Sequence, residues 1–219
     1  MEMPLNLLRH YLGDAYFFNG TACAGKSTLS KAFAARHGFD WLSENLLNER
    51  MKGLMEAAWQ PAWWAGPRDG APAKDWERHF GRPPEEYRAW LDACIAETVP
   101  LMVLELIRLS AGGPVVVDLP FAVQTSIEIA APGHLMFLLT TEAFVVRDYY
   151  GRPDDQGLFA LLKSLNNAEE LIENGKKTLI CGHQKFLDEV YQSGLPFLMR
   201  DNNRTVESTL QLIDRIFGF

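Results

Sequence analysis

Cysteine is scarce: Cys23, Cys94 and Cys181 are the three in 219 residues, and no two form a C-x-x-C pair. That spacing fits neither a zinc site nor a disulfide framework and suits a reducing compartment. No stretch of 18 uninterrupted apolar residues occurs, so no segment reads as a membrane span. Met1 to Phe18 contains Arg9, His10 and Asp14, which break any apolar core of signal-peptide length, and a cytoplasmic protein is expected. Positive charge is in deficit, with 21 Lys and Arg against 28 Asp and Glu and a net charge of -7. A broad nucleic-acid or anionic-membrane surface would need a basic face, so neither partner is expected and any basic site must be local. His10, His37, His134 and His183 have no metal-ligand spacing. Repeats and low-complexity tracts are also missing. What remains, 47% hydrophobic and 22% charged residues, predicts one globular domain over 1–219 with a substantial core.

The most informative stretch runs Gly20-Thr21-Ala22-Cys23-Ala24-Gly25-Lys26-Ser27-Thr28. It satisfies G-x-x-x-x-G-K-[ST], the phosphate-binding P-loop, and it has the flanks that motif requires. The apolar run Ala15-Tyr16-Phe17-Phe18 precedes it, and Leu29, Ala32, Phe33 and Arg36 follow at helical spacing. The glycines permit a tight turn whose backbone N–H groups converge on phosphate oxygens, and the positive end of the next helix lies under the same oxygens. Lys26 is a point charge for the β- and γ-phosphates, and the Ser27 hydroxyl is a Mg²⁺ ligand. Cys23 is either a small residue that fits the loop or one whose oxidation blocks it.

Alternating elements predict an α/β fold with a parallel sheet covered on both faces. Ala15–Asn19, Phe39–Leu42, Pro114–Asp118, Leu135–Thr140 and Phe197–Met199 read as strands. Helices are expected over Lys26–His37, Asn45–Trp59, Glu142–Tyr150, Leu158–Asn174, most of Lys176–Ser193 and Thr205–Phe217. Residues 59–83, dense in Pro, Gly and Trp, read as an irregular excursion. Pro84 then opens a long helix that Pro100 should kink or divide.

Three further groups of residues have chemical potential. Asp118 closes the buried Val-Val-Val strand, placed either to hold Mg²⁺ or to cap the Leu119-Pro120 turn. Glu44 follows the second strand, either as the base for an attacking hydroxyl or as a first-turn helix glutamate. Arg147 and Arg152 flank a Gly-Pro loop, where they either stabilise a transferring phosphoryl group on a closing lid or pair with Asp148, Asp154 and Asp155. All six tryptophans lie between Trp41 and Trp90. Trp59, Trp63, Trp64 and Trp76, with Arg68, Arg78, His79 and Arg82, make either a pocket for a planar anionic substrate or a small local core. The D-x-x-G string at Asp154 follows a helix, and N-K-x-D is absent, so a GTPase is not expected.

The P-loop, Glu44, V-V-V-D ending at Asp118 and R-D-Y-Y-G-R-P-D-D together resemble the small-molecule branch of P-loop kinases. That branch includes nucleoside and nucleotide kinases, shikimate and gluconate kinases and chloramphenicol phosphotransferase-like enzymes. The resemblance implies a three-layer fold with a five-stranded parallel sheet in the order 2-3-1-4-5. It also implies a helical substrate-binding insertion over about 44–110 and a lid over about 147–158. ATP and Mg²⁺ would be required, with Lys26 and Ser27 at the phosphates and metal, Arg147 and Arg152 on the lid, and Glu44 as base. Leu119 and Pro120 stand where nucleoside kinases place an arginine after the acid, and the D-x-D of shikimate kinases is missing. The implied activity is phosphoryl transfer to a small-molecule acceptor. The alternatives are a nucleoside-monophosphate kinase and a nucleotide-binding regulatory protein with slow ATPase activity.

Overall fold

A computed structural model describes residues 5–151, 156–201 and 203–219. In chain order the elements begin α1 (Leu5–Tyr11), β1 (Ala15–Gly20), α2 (Lys26–His37), β2 (Asp40–Ser43), α3 (Glu44–Met51), α4 (Pro61–Ala65), α5 (Ala73–Phe80) and α6 (Pro84–Ser110). They continue with β3 (Val115–Asp118), α7 (Val123–Ile129), β4 (Leu135–Leu139), α8 (Glu142–Asp148), α9 (Gln156–Ser164), α10 (Ala168–Ile180), α11 (His183–Ser193), β5 (Phe197–Met199) and α12 (Val206–Phe217). The chain forms two compact units. The first contains 1–54, 99–140 and 186–219, and the second 55–98 and 141–185.

The first unit is built on an all-parallel five-stranded sheet in the order β2-β3-β1-β4-β5, as expected. Alternate side chains of a strand point to opposite faces. Phe18, Val116, Met136 and Leu138 accordingly meet Leu29 and Phe33 of α2 and Leu210, Ile213 and Phe217 of α12. The intervening residues Phe17, Val115, Val117 and Phe137 are also buried. Phe186 of α11 meets the Phe137 ring edge-on at 6.1 Å between centroids. Burial on both faces is why these strands read as continuous apolar runs.

Register places the carboxyl ends together. Phe18 and Ser43 both pair with Asp118, so β2 ends beside the one acid of β3 and β1 runs two residues past it. Two residues after Phe18, Gly20 has φ 140°, and a Cβ there would lie 1.8 Å from the Leu138 carbonyl oxygen. Only glycine passes β4 at this point.

The second unit has a core of Phe80, Leu162, Leu165 and Leu171, packed by Trp76, Tyr87 and Tyr150. Asn174 ties α10 to the turn after α5 through the Phe80 and Arg82 carbonyls, each accepting at 2.7 Å. His79 is 5% exposed, and its Nδ1 accepts from the Arg82 guanidinium. Burial, reinforced by the Arg82 charge, lowers its pKa to about 4 from 6.5. Between these values the unfolded chain takes up a proton that the folded chain refuses, so this contribution to stability is lost as pH falls from 6.5 towards 4. The melting temperature of the wild type should therefore drop more steeply between pH 7 and pH 5 than that of His79→Gln. Parallel pH profiles for the two proteins would contradict it.

Several elements differ from expectation. The helix read over Asn45–Trp59 ends at Met51, followed by a 3₁₀ turn at Lys52–Leu54. The excursion at 59–83 contains α4 and α5. Pro61 opens α4, and Glu97 accepts from the Ala62 and Trp63 N–H groups at 2.8 and 3.0 Å. Pro100 does not divide α6, which runs 27 residues. A proline deletes a single donor, and the buried Met102, Val103 and Leu106 supply packing on its far side. The helix read over Leu158–Asn174 is two, α9 and α10, broken at Leu165–Asn167. No described helix is long and apolar enough to cross a membrane.

Candidate functional site

The loop between β1 and α2 is held from several sides. The side-chain carbonyl of Asn19, which is 2% exposed, accepts from the Gly20 N–H at 2.6 Å. Its amide donates to the Phe121 carbonyl and the Ser126 hydroxyl, each at 2.7 Å. The Thr21 hydroxyl accepts from the Thr140 N–H at 2.8 Å, locking the loop to the end of β4. Gly25 enters α2 with φ 90°. Cys23 adopts φ 60° although it has a side chain, a conformation that non-glycine residues rarely hold. Its carbonyl accepts from the guanidinium of Arg200, which directly follows β5.

Lys26 Nζ curls over the loop and donates to the Gly20 and Thr21 carbonyls at 3.0 and 2.9 Å. Ser27 Oγ donates to Asp118 Oδ2, which is otherwise buried at the end of β3. A hydroxyl and a carboxylate from elements 91 positions apart are thus in direct contact beside the loop cation. The chain matches no protein-family model and no curated protein sequence. The capacity of the site lies in its own chemistry.

That chemistry has two parts. The loop presents backbone N–H groups and an ammonium, which suit an anion. The Ser27–Asp118 pair is a two-oxygen donor set, too small to enclose a metal. No cluster of three His, Cys, Asp or Glu side chains able to hold one occurs among the described residues. A hard cation that keeps most of its water and shares phosphate oxygens fits such a pair, whereas zinc does not.

The remaining expected residues fall elsewhere. Glu44 is the first residue of α3 and follows Ser43, the backbone neighbour of Asp118, but its side chain lies outside the described residues. Arg152 is outside them as well. Arg147 is in the last turn of α8 in the second unit, where its guanidinium pairs with Asp148 at 2.5 and 3.0 Å and lies 4.5 Å from the Phe144 ring centroid. Asp148 raises its pKa. Arg200, Asn19 and Thr140 were not singled out from sequence. All three close or follow a strand of the parallel sheet, the same signal that picked out Asp118.

Proposed function

We propose that this protein is an ATP- and Mg²⁺-dependent kinase that transfers the γ-phosphoryl group to a small-molecule acceptor. The observation that carries the reading is the Ser27–Asp118 contact beside Lys26, at the carboxyl ends of parallel strands, where ligands of such sheets bind. Mg²⁺, when bound, would neutralise charge on the phosphate oxygens. Ser27 and Asp118 are the residues that would hold it, directly or through water. Lys26 exchanges its loop carbonyls for phosphate oxygens, and the N–H groups from Thr21 to Thr28 orient the donor. Arg200 keeps the Cys23 peptide from turning away by holding its carbonyl. In this reading Glu44 orients the acceptor hydroxyl, while Arg147 and Arg152 steady the group in transit.

Acceptor-dependent ADP formation tests the reading. Nucleosides, nucleotides, sugars and antibiotics are supplied with Mg-ATP, and ADP is followed continuously. At least one class should raise the rate about tenfold or more above the acceptor-free rate. If the acceptor-free rate is unchanged across the panel, the chain is a nucleotide sensor and the kinase reading fails.

A further inference from the structure

The second unit contains two guanidinium groups with no carboxylate partner among the described residues. Arg78 pairs with Asp75 at 3.1 Å and Arg88 with Asp92 at 2.8 Å, but Arg68 and Arg82 make no ion pair. Both lie within cation–π reach of aromatic rings instead. The Arg68 guanidinium carbon lies 3.5 Å from the Trp64 centroid and 4.5 Å from that of Trp63. Arg82 lies 5.1 Å from Trp90 and 5.8 Å from Tyr87. A ring against the face of a guanidinium leaves its in-plane N–H groups for hydrogen bonds, the arrangement that receives an oxyanion; Arg82 already uses one of them on His79 Nδ1.

Arg68 has a specific deficit. Its Nη2 is shielded from solvent and has no acceptor among the described residues. Folded chains rarely leave a buried donor unmade, so this one is open to the oxygen of a water or of a ligand. The acid within this cluster does not meet the need, because Glu97 uses both oxygens on the first N–H groups of α4.

The two arginines belong to one surface. Trp90 Nε1 donates to the Ala62 carbonyl at 2.8 Å, at the start of the helix that carries Trp63 and Trp64. Gly66 lies over the same ring, where a Cβ would come within 3.0 Å of Trp90 and 3.4 Å of His79. Trp64 is 40% exposed, so the cluster meets solvent at that ring.

We propose that this cluster binds a planar anion, a carboxylate or phosphate monoester on a flat ring, with the oxyanion on Arg68 and the ring among the tryptophans. On the kinase reading above, and resting on it, this ligand is the phosphoryl acceptor, which makes the substrate class an acidic aromatic or heterocyclic compound. The anion site itself stands without that reading.

Benzoate and phenyl phosphate are titrated into the full chain without nucleotide, with benzyl alcohol as the neutral counterpart. Tryptophan fluorescence and calorimetry report binding. At least one anion should bind about tenfold tighter than the alcohol, and Arg68→Gln should remove about that factor, the usual size for loss of a charged hydrogen-bond partner. Lys26→Ala should leave benzoate binding unchanged. The proposal is overturned if no anion binds, if the alcohol binds as well, or if Lys26→Ala rather than Arg68→Gln abolishes binding. Should Arg68→Gln not fold, the wild type decides: added salt must weaken the anion and spare the alcohol, and equal salt dependence overturns the proposal. A chain that binds the anion yet shows no acceptor-stimulated ADP release would retain this site and lose the kinase reading.

Discussion

Lys26→Ala should abolish the proposed phosphotransfer while the chain stays folded. The ammonium donates to the carbonyls of Gly20, the last residue of β1, and Thr21, both within the loop it sits over. Hydrogen bonds from a charged donor contribute about 1.5–3 kcal/mol each. Against that cost stands the loss of the loop cation that, on the kinase reading, meets the β- and γ-phosphates. Removing a preorganised charge-stabilising donor commonly lowers turnover about 10²–10³-fold. The check is twofold, the initial rate of ADP formation and the thermal shift with Mg-ATP. Ligand at 100 times its Kd stabilises a protein by about 2.7 kcal/mol, and the variant should gain only a small part of that. Equal stabilisation of both proteins by Mg-ATP would show that Lys26 does not touch the phosphates.

Asp118→Asn should separate metal from nucleotide. Asn keeps the size of the buried side chain and still accepts from the Ser27 hydroxyl, so the ends of β3 and α2 remain joined. What disappears is the negative charge. Turnover with Mg-ATP should fall about 10²–10³-fold, while affinity for metal-free nucleotide holds or improves, since a carboxylate no longer repels the phosphates. Calorimetric titration with nucleotide in chelator and then in Mg²⁺ measures both terms. A parallel change in the two affinities would leave Asp118 as a cap on the Leu119-Pro120 turn.

The sheet was legible because its chemistry is uniform. Val115 to Asp118 and Leu135 to Leu139 are buried on both faces, and such strands leave a continuous apolar signature. Their spatial order came from resemblance to kinases, since no periodicity encodes which strand lies beside which. The helices within 59–83 were hidden for a different reason. Pro61 and Pro72 are helix starters, but in a stretch crowded with Gly and Trp they read as breakers. α7 spans only seven residues, too few to establish a period. At the site, Gly20 to Thr28 and Asp118 were readable because local spacing and strand ends carry them. Arg200 was missed although it too follows a strand, because β5 is only three residues long and partly exposed. Arg78 was grouped with Arg68 and Arg82 on composition, and only the Asp75 contact separates it from them. The Arg147 ion pair with the adjacent Asp148 was among the readings the sequence allowed.

The interleaving of the two units bears on how the chain reaches this state. Residues 55–98 fall between β2 and β3, and residues 141–185 between β4 and β5. Both edges of the sheet are therefore closed across a segment belonging to the other unit, and Val115 waits for Ala15 on one side and Asp40 on the other. Such distant parallel pairings bring no reward until long loops have closed, which slows folding. The α8 to α10 stretch of the second unit is helical and close in sequence, so it can organise early and shorten the effective loop that β5 must bridge. Because closure entropy grows by only about 0.6 kcal/mol for each doubling of loop length, lengthening either insertion would slow assembly far more than it would lower the final stability.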